Sequence, residues 1–234
     1  MSAVTRWIHL EQLGGDPWVL PIWAAVNAAV QSGRAQPVTP ELGELAIHLS
    51  TRLNLLPWIV RRVNEGAHSL YDAASRSSDE HLFTPGKEGV ALRVDDCVKY
   101  YLLADLDSLL FELNAVCESM LNFFERVYAH AGVAMPKTDA GPSLRHVLEQ
   151  AGDDPSWFLQ LDAHRNFFTH EGSPYAAIDT SRAPDDYDLL ILKQNITSFD
   201  DPERFVRLSE IGGIVEGFNR SRNILQQHLR SLFV

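Results

Sequence analysis

The sequence predicts a mainly α fold with one β-hairpin between its last two helices and an N-terminal helical region. Three observations carry this expectation. Leu103, Leu106, Leu110, Leu113, Cys117, Met120, Phe124 and Val127 recur at three- or four-residue intervals, which puts them on one face of a long helix. Phe205, Leu208, Ile211, Val215, Phe218, Leu225, Leu229 and Leu232 outline a closing amphipathic helix in the same way. Between them the period changes: Tyr175 to Asp179 and Tyr187 to Lys193 are short β-prone runs joined by a loop containing Ser181, Pro184, Asp185 and Asp186.

Taken in order, Pro17 to Gln31 and Glu41 to Leu53 are helical with mixed apolar content, and Pro57 opens a further segment that runs to Tyr71. The stretch Ser75 to Gly89 is polar and contains Pro and Gly, which marks a linker. The expected division is therefore an N-terminal helical region at 1–75, a linker at 76–89 and a helical domain at 90–234. The long helix ends near Gly132. Gly141, Pro142 and Ser143 then break the chain, and Ser143 is placed to cap a helix over Leu144 to Gln150. Another helix begins near Pro155, carries Trp157, Phe158, Leu161, Phe167 and Phe168, and stops at Gly172. Gly212 and Gly213 weaken the closing helix locally.

With 45% hydrophobic and 22% charged residues in 234, the chain has the composition of a folding protein that needs no disulfide or metal to hold its core. Cys97 and Cys117 form no CxxC pair and no zinc-finger spacing with histidine. The first residues carry no positively charged stretch followed by an apolar run, and no apolar run approaches a membrane span, so the expected location is cytoplasmic. The sequons at Asn195 and Asn219 are then chance matches. A net charge of -11 repels a nucleic-acid backbone, so any RNA contact must be confined to a local pocket.

One segment carries candidate chemistry. Residues 162–179 read DAHRNFFTHEGSPYAAID, in which Arg165 is followed by the polar Asn166, three further residues and His170. The spacing alone is uninformative, because Arg76 to His81 repeats it and Arg62 to His68 and Arg222 to His228 satisfy a one-residue-longer version. Context separates them: Arg165 to His170 alone combines Asn after Arg with aromatic residues inside the motif and a Gly stop downstream. The segment, with the acidic-apolar helix from Glu112 (ELNAVCESMLNFFERVY) before it and the amphipathic helix after it, resembles the ribonuclease motif of the HEPN superfamily. The resemblance covers roughly 90–234.

Membership would imply a HEPN-like helical bundle and a metal-independent endoribonuclease that cleaves single-stranded RNA, with no cofactor. On one helix Arg165 and His170 point about 140° apart, whereas Asn166 and His170 share a face. The resemblance implies how this is overcome, through a homodimer whose motif helices meet and pool Arg and His around one phosphate. His170 would move the 2′-hydroxyl or leaving-group proton, Arg165 would stabilise phosphate charge, and Asn166 would orient either. Products would carry a 2′,3′-cyclic phosphate. The class implied is a toxin or a defence or stress effector, with a cognate antitoxin or regulatory protein as a further partner and no membrane. The alternative is a non-catalytic HEPN-like module that binds a partner protein or nucleotide ligand.

Competing structural roles are easily stated. His170 suits a helix C-terminus as a cation, and Arg165 would simply pair with a carboxylate such as Asp162. Glu112 or Glu118 is an expected holder of Arg165 if neither is just solvated helix surface. Tyr175 would stack on a base or pack at a strand start. His164, His170 and Glu171 do not have the spacing of helical zinc ligands, and Gly172 stands where the toxin branch of the family has tyrosine.

Overall fold

A computed structural model describes residues 15–76, 95–138, 141–170, 175–179, 187–193 and 201–234. Its architecture is mainly α, with a small antiparallel sheet between the last two helices. Each long helix starts where a side chain satisfies an otherwise orphaned amide. Asp16 accepts from the amide of Trp18 at 2.9 Å and opens a 3-10 turn, Pro17–Val19, that leads into α1, Leu20–Gln31. Thr39 caps α2, Pro40–Ser75, and Asp95 caps α3, Asp96–Ala131, which ends at Gly132 with a left-handed φ of 69°. That φ is the reason for glycine there. A two-residue β-ribbon, β1 at Lys137–Thr138 and β2 at Gly141–Pro142, follows. Ser143 caps α4, Leu144–Gln150, as its position predicts, and α5 covers Ser156–His170.

The expected hairpin forms from β3, Tyr175–Asp179, and β4, Asp188–Leu192, with Tyr175 opposite Leu192 and Asp179 opposite Asp188. All five residues of β4 are buried. Phe205, expected at the start of the closing helix, instead lies in β5, Phe205–Arg207, which pairs with β4 so that Leu192 faces Phe205. Helix α6 begins only at Leu208 and runs to Ser231. The buried Asp188 joins sheet to helix, accepting from the amide of Ser209 at 3.2 Å and its hydroxyl at 2.6 Å, where the positive end of α6 favours a carboxylate.

A second difference concerns Pro57. The sequence suggests a new segment there, yet α2 passes through it unbroken. An interior proline costs on the order of 3 kcal/mol through its missing N–H and ring clash. Against this, α2 buries Leu49, Leu53 and Leu56 before the proline and Val63, Ala67 and Leu70 after it. Each such side chain contributes about 1.5–3 kcal/mol when fully buried. Ion pairs from α2 to α3 lie on both sides of the proline, Arg52 with Glu112 and Arg62 with Asp105. Packing over the whole length of α3 outweighs one local defect.

Helix α3 is the centre. Its residues Leu106, Leu110, Leu113, Phe123, Phe124 and Val127 are fully buried. Helix α6 runs alongside in the same direction, with His228 stacked near Phe124 at 6.4 Å. Helix α5 runs opposite to α6, placing Trp157 by Ser221 and His164 by Glu210. One core cluster extends from Trp18 to Phe233, so residues of the first third pack into the same interior as the rest. Apart from Arg76, the expected linker at 76–89 lies outside the described residues. Among the described residues no helix is long and apolar enough to cross a membrane.

Candidate functional site

Helix α5 is held against the bundle by its aromatic residues. Trp157 is buried, donates from its indole N–H to the Ser221 hydroxyl at 2.9 Å, and lies parallel to Phe158 at 3.8 Å. Gly217 of α6 allows this approach: a Cβ there would lie 2.7 Å from the Trp157 ring. At the other end of α5, Phe167 is buried and Lys193, just after β4, places its ammonium 5.4 Å from the ring centroid. The candidate segment therefore sits on a helix fixed at both ends.

Arg165 lies partly buried on α5, and its Nε is buried without a hydrogen-bond partner. Asn166 is exposed. His170 is the last helical residue, five positions beyond Arg165, and its side chain lies outside the described residues. Helical geometry sets the two positions about 140° apart around α5. No single protomer aims both at one atom.

The expected holders of Arg165 are engaged elsewhere. Glu112 binds Arg52 at 2.8 Å, and Glu118 accepts from Asn114 at 2.8 Å. Nor does Asp162 pair with it: among the described residues Arg165 has no carboxylate partner. The arginines of the competing pairs are all neutralised. Arg62 pairs with Asp105, Arg76 with Asp72, and Arg222 with Asp16. Two of the competing histidines are also occupied, His68 by the Tyr187 hydroxyl at 2.8 Å and His228 by the Tyr128 hydroxyl. His81 lies outside the described residues.

Spacing did not point to His164 as part of this region. It is partly buried beside α6, 4.0 Å from Glu210. Burial holds its pKa below the usual imidazole value; Glu210 opposes that shift and the nearby Lys193 reinforces it. Residues of α5 and α6 and Lys193, just after β4, meet here, so no local sequence pattern announces the cluster. Tyr175 is 51% exposed at the start of β3, as a packing residue at a strand edge or a stacking residue would be.

No family model, curated protein or solved structure matches the chain. The site is therefore read from its own chemistry. Among the described residues no group of three or more His, Cys, Asp or Glu side chains is placed to hold a metal ion. Cys117 is buried, with its thiol pushed up to about 12 by burial first and by Asp162 and Glu118 after it, which removes it as a nucleophile near neutral pH. What α5 presents is a guanidinium with no carboxylate partner among the described residues, an exposed amide and a terminal histidine position. That set can bind an anion and, once a histidine faces the same anion, move a proton.

Proposed function

We infer that the protein is a homodimeric, metal-independent endoribonuclease of HEPN type acting on single-stranded RNA. The observation that carries this reading is the state of Arg165. In a chain of net charge -11, every competing arginine is bound to a carboxylate, while Arg165 keeps a buried, unpartnered Nε. A buried unsatisfied donor costs about 1–3 kcal/mol, a cost that an incoming phosphate would offset with charge-assisted hydrogen bonds.

In the proposed reaction two α5 helices meet about a twofold axis, so that Arg165 of one copy and His170 of the other face one phosphodiester. The 2′-hydroxyl loses its proton to a His170 imidazole as its oxygen attacks phosphorus. The bond to the 5′ oxygen breaks, and that oxygen takes a proton from imidazolium. Arg165 stabilises charge on the phosphoryl oxygens and Asn166 orients phosphate or imidazole. The products are a 2′,3′-cyclic phosphate and a 5′-hydroxyl, and DNA is not a substrate. A role as a toxin or a defence or stress effector, held in check by a cognate antitoxin or regulatory protein, belongs to the same reading.

The test is incubation of end-labelled single-stranded RNA with purified protein in EDTA. Cleavage lost in both Arg165→Ala and His170→Ala, with a dimer by light scattering, supports the enzyme. Cleavage absent under every condition, or a strict monomer, overturns it. The second reading, a non-catalytic module binding a partner protein or nucleotide, draws on the same charge inventory. A net charge of -11 disfavours binding of an extended RNA backbone.

A further inference from the structure

Helices α2 and α6 both lean on α3 without closing over it, and between them lies a cavity of about 440 Å³. Its floor is apolar and belongs to the core: Leu53 and Leu56 of α2, Leu109 and Leu113 of α3, and Phe218 of α6 are buried. Its ends are stopped by contacts that bind distant parts of the chain. At one end Asp16 pairs with Arg222, whose carbonyl also accepts from the Trp18 indole at 2.6 Å. At the other, His68 bonds the Tyr187 hydroxyl, and Tyr187 stacks on Tyr71 with ring centroids 3.6 Å apart. The opening is a half-open cleft whose volume falls in the range of small-molecule sites, roughly 300–1,000 Å³.

The charges at its mouth are already matched. Arg61 pairs with Glu65 at 2.7 Å and Arg222 with Asp16, so an ionic ligand would have to displace an existing partner. The uncharged polar groups are better placed to receive one. Asn64 and Asn219 stand exposed on opposite walls, each with an amide that both donates and accepts. Pro57, Val60 and Val215 give the two walls their accessible apolar surface.

The geometry points to a ligand site here for an uncharged, largely apolar small molecule whose hydrogen-bonding edge meets Asn64 and Asn219. The site is separate from α5 and does not depend on the nuclease reading. Its apolar body replaces water over Pro57, Val60 and Val215 above that buried floor, and its lack of charge leaves the two ion pairs at the mouth intact.

The probe is N-phenyl-1-naphthylamine, an uncharged dye that brightens in apolar surroundings, titrated into the full-length protein. Saturable binding of one dye per chain is expected, weakened about tenfold or more by Val60→Phe and by Val215→Phe, which fill the cavity from its two walls. Both valines are only partly buried, so each substitution is compatible with folding, which circular dichroism verifies. The exchange Leu159→Ser, at an exposed residue of α5 away from the cavity, should leave binding unchanged. The sulfonated relative, 8-anilino-1-naphthalenesulfonate, should bind more weakly than the neutral dye. Non-saturable binding, binding unaffected in whichever filled variants fold, or preference for the anionic dye would each overturn the proposal.

Discussion

The packing of α5 onto α6 can be tested at a single glycine. In Gly217→Ala the new Cβ would lie 2.7 Å from two Trp157 ring carbons and 2.9 Å from the Trp157 Cβ. Ordinary carbon contacts are about 3.5–4.0 Å, so the overlap is close to ~1 Å. The ring has little freedom to yield, since its N–H is held by Ser221 and its face by Phe158. Overpacking of this kind costs about 1–3 kcal/mol, and a forced rotation would also forfeit a hydrogen bond worth about 1 kcal/mol. Against that, alanine in place of glycine favours the helix by about 1 kcal/mol. The net expectation is a loss of about 1–3 kcal/mol, or a Tm lower by roughly 2–12 °C for a chain of this size. Gly213 provides the control, because a Cβ there meets nothing within 4 Å. Gly213→Ala should gain about 0.5–1 kcal/mol from helix propensity alone. Urea unfolding followed by far-UV circular dichroism measures both. If Gly217→Ala proves as stable as Gly213→Ala, α5 does not sit on α6 as described, and the placement of Arg165 falls with it.

Other consequences concern charge, protons and thiols. Arg165→Met should leave stability unchanged or raise it by up to about 1 kcal/mol, because it removes an unsatisfied buried donor, whereas Arg222→Met should cost about 1–3 kcal/mol by stranding the partly buried Asp16; equal losses in thermal melts would contradict that contrast. His164 and His228 are held below the usual imidazole value of 6.5 by burial. Their folded forms therefore bind protons less readily than the unfolded chain, so stability is flat above about pH 6.5 and falls as pH drops toward their lowered folded values. His228→Gln should flatten part of that slope in denaturation curves between pH 5 and about 7, and an unchanged slope would exclude His228 as a source. A thiol reagent such as dithiobis-nitrobenzoate should label the exposed Cys97 in the native protein and reach the buried Cys117 only after denaturation. Two rapid equivalents without denaturant would mean that α3 is not packed at Cys117.

Much of this molecule is local in origin, and that part is legible residue by residue. The spacing from Leu103 to Val127 names the buried face of α3, Ser143 marks the start of α4, and the short β-prone runs at Tyr175 and Tyr187 locate the hairpin, because each signal lies within a few neighbouring residues. The continuity of α2 through Pro57 is different. It depends on an apolar face packed along α3, which propensity does not contain, and Phe205 joins a strand because β4 offers it a partner. The contrast is sharpest at the candidate site. Position and residue type single out Arg165, Asn166 and His170, but that the arginines of the competing pairs are bound to carboxylates is settled by contacts such as Arg62 with Asp105 and Arg222 with Asp16, between residues 43 and 206 positions apart. Backbone periodicity is written in short-range sterics and hydrophobic spacing, whereas charge pairing follows from the folded path of the whole chain, and only the tertiary structure could decide it.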